Sequence, residues 1–261
     1  MARKKGKGGG KGKRAQQRAQ YDELDKYPVI PPHAFARIVR DKQTLNILYQ
    51  IIEPPLTKKE QEQREEIMDI FIRSLTANIE EIDADPDAYL RTALDKVIKS
   101  YGMKINKKSK SKMFYYLRRD LIGYGKMDML MHDVNVEDIS LDGTNVPIFA
   151  YHRKFESIET TCVWETDHEL ESYVIKLAQR CGKHISVAEP LLDATLMDGS
   201  RIVMKLGREI STRGSAFCIR RFNDDPFSPA DIVAFRTLSS LMSASLMVCF
   251  QSEVPMLFVG G

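Results

Sequence analysis

The sequence predicts an α+β fold: a small helical bundle followed by a mainly antiparallel α+β domain. Two observations lead to this prediction. Apolar residues recur at helical spacing between residues 58 and 122, and from Gly125 onward the pattern changes to alternation with period two. Apolar residues make up 43% and charged residues 29% of the 261 residues, as is usual for a globular protein.

The first 57 residues are predicted to lie outside these two parts. Residues 1–20 hold eight Lys or Arg, five Gly and no acid, which predicts a disordered basic tail. Such a tail is either simply solvated or in contact with anionic lipid or nucleic acid. Residues 21–57 are interrupted by prolines and predict an extended linker, in which either a short helix over Ala34–Gln50 or a strand over Thr44–Ile52 is compatible with the pattern.

Helical spacing and capping residues predict three helices over residues 58–124. Lys58–Ile82 carries an apolar stripe of Ile67, Phe71, Leu75, Ile79 and Ile82. Asp85 followed by Pro86 begins a second helix, which Gly102 ends. A basic loop over Lys104–Lys112 then precedes a third helix that stops at Gly123.

Alternating residues predict several strands over residues 125–228. Val136–Leu141 and Val146–Tyr151 flank an Asp142-Gly143 turn, and Ile158–Trp164 follows. Thr166 begins a helix that reaches Cys181. An Asp198-Gly199 turn joins Leu191–Met197 to Arg201–Leu206, and Ser215–Phe222 is a further strand. Residues 229–261 predict a linker helix capped by Ser228-Pro229 and a buried strand over Pro255–Val259.

Five arginines between residues 201 and 221 form the most informative group. Period two places Arg201 and Lys205 on one strand face and Ile202, Met204 and Leu206 on the other. Arg220 and Arg221 point to opposite faces, so one of them is buried with a partner or leaves the apolar side. Guanidinium groups match phosphate oxygens in geometry and charge. The alternative is a solvated sheet face, salt-bridged to acids such as Glu189, Asp193, Asp198 and Glu209.

The last residues give a second, weaker indication. An apolar segment runs into Gly260-Gly261, which is how a phosphate-binding loop of the form G-x-x-x-x-G-K-[ST] begins, and equally how an ordinary strand ends. No residues form a recognisable catalytic constellation. The four cysteines and the histidines lack metal-ligand spacing, so the sequence predicts no metal site.

Several stretches taken together resemble the archaeal branch of the type II and type IV secretion ATPases. They are Glu137–Gly143, Val146–Phe155, Glu189–Ala194, Asp198–Arg201, Arg213–Phe222 and Phe258–Gly261. All of them lie within residues 113–261, and it is their joint occurrence in this order that is specific.

The resemblance implies a PAS-like N-terminal domain that adjoins a RecA-like motor domain, with the chain ending where the phosphate-binding loop of that motor begins. It implies that Arg201, Arg208, Arg213 and Arg220, with Gly260 and Gly261, contact the phosphates of ATP held with Mg²⁺. The phosphate-loop lysine, the metal-ligand acid and the general-base glutamate would all follow Gly261. We therefore expect no useful ATP hydrolysis by this chain alone.

The same resemblance implies a homo-hexamer that acts with a membrane platform protein of a pilus, archaellum or secretion system. The expected location is the cytoplasm, at the inner face of the cell membrane, with the basic tail touching anionic lipid. Two alternatives remain open: an adaptor module that binds a secretion-platform partner, and a nucleic-acid-binding protein. The second is not favoured, because without the tail 31 basic residues stand against 36 acidic ones.

Overall fold

A computed structural model describes residues 20–74, 85–222, 227–257 and 259. The chain divides into two compact units, residues 1–222 and 223–261. The larger unit is built on one nine-stranded sheet, which confirms an α+β structure with mainly antiparallel pairing.

The sheet is antiparallel except at one junction. Its spatial order is β1-β2-β3-β6-β5-β4-β9-β8-β7, and the β3–β6 pair is parallel. The strands are β1 (Tyr21–Ile30), β2 (Ala34–Asp41), β3 (Ile47–Ile52), β4 (Val136–Asp142), β5 (Pro147–His152), β6 (Glu156–Val163), β7 (Leu191–Thr195), β8 (Arg201–Lys205) and β9 (Ala216–Arg220).

The segment 21–57 differs from the predicted linker, because it contributes three strands to the sheet. In β2, Ala34, Ala36 and Ile38 alternate into the core, so the helix considered over Ala34–Gln50 is wrong. Asp41 ends the strand by accepting hydrogen bonds from the backbone N–H groups of Gln43 and Thr44, which forms the turn into β3.

A buried carboxylate ties this segment to the rest of the unit. Asp133 is 1% exposed, and its Oδ2 accepts the hydroxyls of Tyr27 at 2.7 Å and Tyr49 at 2.6 Å. Its Oδ1 accepts the backbone N–H of Asn135 at 2.9 Å. Because β1 and β3 each provide one of these tyrosines, the proline-rich segment belongs to the core of the unit.

Two helices cover one face of the sheet: α4 (Asp128–His132) and α5 (Asp167–Arg180), which share the main hydrophobic cluster with the strands. Helix α5 begins as predicted, because Thr166 accepts a hydrogen bond from the backbone N–H of Glu169. Its buried residues Leu170, Val174 and Leu177 are spaced to face the sheet.

Three further helices share a second hydrophobic cluster: α1 (Lys58–Ser74), α2 (Pro86–Ser100) and α3 (Lys107–Leu117). Asp85 caps α2 as predicted. The prediction of a basic loop over Lys104–Lys112 is wrong from residue 107 onward, because Asn106 caps α3 there and lysine is a good helix former. Leu75, Ile79 and Ile82 lie outside the described residues.

The smaller unit contains α6 (Pro229–Ala234) and α7 (Ser240–Gln251). Ser228 and Asp231 form a capping box at the start of α6, where the sequence predicts a cap. The strand predicted over Pro255–Val259 is wrong for residues 255–257 and 259, which form no regular element, and Leu257 and Val259 are exposed. Within the described residues of this unit no strand is available to pair with them.

Across the described ranges, every helix is too short or too polar to cross a membrane.

Candidate anion-binding site

Strand β8 places its charged residues on an open face of the sheet. Ile202 and Met204 are fully buried, whereas Arg201 and Lys205 are exposed, as period two predicts. The exposed face continues across β9, where Cys218 and Arg220 are exposed and Phe217 and Ile219 are buried. The sheet therefore holds arginine side chains on a fixed framework, with their charges in solvent.

Arg201 and Arg220 lie directly opposite each other on adjacent strands. The strands around them are fixed in the same way, since Arg201 is the register partner of Thr195 on β7 and Arg220 that of Asp138 on β4. Like charges in directly opposite positions repel each other across a sheet. We call this location, with the turn that joins β7 to β8, the turn end.

One carboxylate offsets only part of this charge. Arg220 Nε donates to Asp138 Oδ1 at 3.1 Å, and this contact raises the pKa of Arg220 above its usual range. Among the described residues no acidic side chain forms an ion pair with Arg201. On the paired strands of the turn end, two guanidinium groups therefore stand against one carboxylate, Asp138, while the carboxylate of the turn itself, Asp198, accepts hydrogen bonds from Ser200. An anion can neutralise the remaining guanidinium charge.

The turn preceding Arg201 is rigidly built. Ser200 is buried, and its hydroxyl donates to Asp198 Oδ2 at 2.9 Å and accepts the backbone N–H of Phe222 at 3.0 Å. Gly199 adopts a φ of +84°, where a side chain would be strained and would crowd the Phe222 ring. These contacts hold the start of β8 beside the end of β9.

Arg221 points to the face of the sheet opposite to that of Arg220, as the alternation predicts. It is partly buried, and its Nη1 donates to the backbone carbonyls of Asp133 and of Val136, the latter at 2.8 Å. Its backbone N–H donates to the Glu137 carbonyl at 2.8 Å. Arg221 therefore joins the end of β9 to the start of β4 and has a structural role.

Arg208 lies at the opposite end of β8, in the loop over residues 206–215. Its Nε donates to Asp167 Oδ2 at 2.7 Å, and Asp167 Oδ1 accepts the Thr144 hydroxyl at 2.5 Å. The hydrogen bonds from Arg208 and then from Thr144 lower the pKa of the Asp167 carboxyl. We call this location the loop end.

Arg213 is held at the loop end through its backbone. Its carbonyl accepts the Thr144 N–H at 3.0 Å. Gly143, with a φ of +110°, comes so close that a Cβ there would lie 2.3 Å from the Arg213 carbonyl oxygen. The Arg213 side chain itself is exposed, and within the described residues it forms no ion pair.

The structure therefore divides the four predicted arginines into two pairs. Arg201 and Lys205 already lie about 13 Å apart, for a strand rise of about 3.3 Å per residue, and Arg208 and Arg213 lie beyond Lys205. One phosphate group therefore contacts one pair at most. Gly260 and Gly261 lie outside the described residues.

The partners of the arginines differ from those the sequence suggests. Arg220 pairs with Asp138 and Arg208 with Asp167, instead of with Glu189, Asp193, Asp198 or Glu209. The contacts join residues 82 and 41 positions apart. Only the strand register and the position of α5 bring them together, and a single sequence carries no signal for either.

Within the described parts of the chain, no three His, Cys, Asp or Glu side chains are grouped closely enough to hold a metal ion. The donor set at the turn end is cationic, which suits an anion and does not suit Mg²⁺.

Three curated relatives are similar in sequence, and all are uncharacterized proteins of Methanocaldococcus jannaschii. MJ1288 is 41% identical over 62% of this chain and 65% of its own length. MJ0900 is 30% identical over 90% of this chain and 42% of its own length, and MJ0781 is 32% identical over 48% and 17%. The chain thus spans between about a sixth and two thirds of these relatives.

No family model matches the chain. Among solved structures, the VirB11 ATPase from the Brucella suis type IV secretion system, in complex with sulphate, is similar with a TM-score of 0.37 and 14% identity. The match covers 53% of this chain and 41% of that one. A likeness at this level is too low to assign the fold or the activity.

Proposed function

We propose that this chain is the N-terminal portion of a secretion or pilus assembly ATPase, and that its turn end supplies arginines to a nucleotide phosphate site. The observation that carries the proposal is the cross-strand pair of Arg201 and Arg220. These two exposed arginines are register partners on β8 and β9, Arg220 is paired with Asp138 of β4, and the sheet fixes the spacing of the three strands.

The sequence resemblance supports the same location. The stretches Asp198–Arg201 and Arg213–Phe222 include the rigid turn and the strand that build the turn end. A phosphate bound there would accept hydrogen bonds from both arginines and would relieve their mutual repulsion. The role of the chain at such a site is charge neutralisation and positioning.

ATP fits this arrangement through its phosphates. Mg²⁺ does not, since Asp138 already pairs with Arg220 and Asp198 already accepts hydrogen bonds from Ser200. Phosphoryl transfer also requires groups that orient the attacking water. In the proposal these groups and the metal ligands belong to a RecA-like motor domain, and the α+β unit is the PAS-like domain that adjoins it.

The proposed assembly is a homo-hexamer that works against a membrane platform protein of a pilus, archaellum or secretion system at the cytoplasmic face of the membrane. Helices α1–α3 would form the small N-terminal bundle. The basic residues 1–20 would add attraction to anionic lipid, at about 1 kcal/mol per Lys or Arg near the surface.

Side-chain NMR of the 261-residue chain tests which arginines meet phosphate. The Nε–Hε signals of the arginines are followed while inorganic tripolyphosphate is added at low salt. We expect the signals of Arg201 and Arg220 to shift together. The shifts should become smaller at high salt, because the Debye screening length falls from about 30 Å at 0.01 M to about 3 Å at 1 M ionic strength.

Shifts confined to Arg208 and Arg213, or no shifts at all, would remove the turn end as a phosphate site. Assignment by single Arg→Lys variants identifies each signal and keeps the charge of the site constant.

A further inference from the structure

A second charged location lies within the larger unit, far along the sequence from the turn end. A cavity of about 610 Å³ separates the turn between β1 and β2 from helices α2 and α3. Its walls come from residues 30–33, from both helices and from Arg118. Cavities that bind small ligands typically measure about 300–1,000 Å³.

Both carboxylates of the cavity wall are already paired. Arg118 Nε donates to Asp87 Oδ1 at 2.8 Å, and Lys110 forms an ion pair with Asp95. Each of these pairs contributes no net charge to the cavity.

Two cations of the wall remain without an acidic partner among the described residues: Arg91 and Lys107. The Arg91 guanidinium lies over the Phe114 ring, 4.1 Å from its centroid, which keeps it at the wall. Lys107 is exposed in the first turn of α3. The cavity therefore has a surplus of two positive charges.

Two aromatic rings, whose planes are tilted by 39° to each other, adjoin these charges. The His33 and Tyr115 rings lie 5.4 Å apart, and His33 Nε2 is 3.0 Å from the Ser111 hydroxyl. Burial lowers the pKa of His33, so its ring is neutral near pH 7. Tyr115 donates its hydroxyl to Glu53 Oε1 at 2.8 Å, which fixes the ring.

We propose that this cavity binds a small phosphorylated ligand with an aromatic ring, of the nucleoside monophosphate class. The phosphate, with a charge of about −1.5 to −2 near pH 7, matches the surplus from Arg91 and Lys107. The ring of the ligand packs against the partly exposed ring of His33, beside the buried Tyr115. None of these residues belongs to the turn end, so the inference is independent of the proposed function.

The test measures AMP binding to the 261-residue chain by calorimetry, with adenosine and inorganic phosphate as partial ligands. Because the cavity offers both charge and a ring surface, each partial ligand is expected to bind at least about tenfold more weakly than AMP. The Lys107→Gln variant is expected to weaken AMP binding by about tenfold.

Lys108→Gln is the matched control, since Lys108 is exposed on the same helix and does not line the cavity. It is expected to bind AMP like the unchanged chain, and circular dichroism of both variants checks their folding. Arg201→Ala is likewise expected to leave AMP binding unchanged.

Equal effects of Lys107→Gln and Lys108→Gln, or AMP binding no tighter than that of adenosine, would overturn the proposal. Loss of AMP binding in Arg201→Ala would place the ligand at the turn end instead. Tighter binding of a penta-glutamate peptide than of AMP would overturn it in favour of an acidic protein partner.

Discussion

The two ends of strand β8 have the same number of arginines and hold them in opposite ways. At the turn end, Arg201 and Arg220 project from two paired strands and face each other directly. At the loop end, Arg208 and Arg213 come from a loop, and the loop is fastened by backbone contacts and by Asp167.

Each end has one arginine paired with an aspartate and one without such a partner in the described residues. The two ends differ in what the paired aspartate contacts. At the loop end Asp167 also accepts the Thr144 hydroxyl, so its ion pair is part of the packing between loops. At the turn end Asp138 only offsets Arg220, and the cross-strand repulsion with Arg201 remains.

This difference indicates that charge count alone does not locate an anion site. At the loop end, the Arg208 side chain and the Arg213 backbone hold the connections together, whereas at the turn end Arg201 and Arg220 project from a rigid pair of strands. We therefore expect variants at the loop end to change stability, and variants at the turn end to change anion affinity.

The largest expected effect comes from Gly143→Ala at the loop end. A Cβ at this position would lie 2.3 Å from the Arg213 carbonyl oxygen and would have to adopt a φ of +110°. The combined collision and backbone strain should lower the free energy of unfolding by about 3 kcal/mol or more. Urea denaturation of the variant measures this loss.

Gly207→Ala separates the collision from the strain. Gly207 lies in the same loop with a φ of +83°, but nothing lies within 4 Å of its Cβ position. Its expected cost is about 1 kcal/mol. Equal losses in the two variants would contradict the close packing of Gly143 against Arg213.

A smaller effect is expected in the titration of Asp167. The hydrogen bond from Arg208 is the main cause that lowers the pKa of Asp167 in the folded state. The ionised carboxylate therefore stabilises the folded state at pH values above the ordinary pKa of a carboxyl group. That stabilisation begins to decline when the pH falls below about 3.9, the ordinary pKa of an aspartate. It is lost once the pH has passed through the lower pKa of the folded state. In Arg208→Gln the pKa should rise toward its usual value, which carbon NMR of the Asp167 carboxyl detects.

Arg213→Gln serves as the control, because Arg213 does not pair with Asp167 in the structure. An equal rise in both variants would mean that the pKa of Asp167 reports only the general charge of the loop.

The sequence predicts most of the elements that build the turn end. Alternation fixes the faces of Arg201 and Lys205, and the Asp198-Gly199 turn joins the two strands as expected. It also predicts that one of Arg220 and Arg221 either leaves the apolar side or is buried with a partner. In the structure Arg221 is partly buried and has backbone carbonyls as partners. These features depend on neighbours in sequence, where periodicity and turn chemistry decide.

The rest depends on contacts between distant residues. Tyr27 and Tyr49 make residues 21–57 part of the sheet by reaching Asp133, 106 and 84 positions away. The prolines of this segment predict a linker, because their effect on the local backbone can be read from the sequence. The contacts of the two tyrosines with Asp133 cannot be read from it. The separation of the four arginines follows from strand register and loop path, which spacing in one sequence does not determine.

The most direct test of the central claim compares Arg201→Ala with Arg213→Ala in their affinity for tripolyphosphate at low salt. Both side chains are exposed and without an ion pair in the described residues, so the variants remove the same charge at different ends. Phosphate binding at the turn end predicts about fivefold weaker binding for Arg201→Ala and no change for Arg213→Ala. Equal weakening in both variants, or weakening in Arg213→Ala alone, would contradict it.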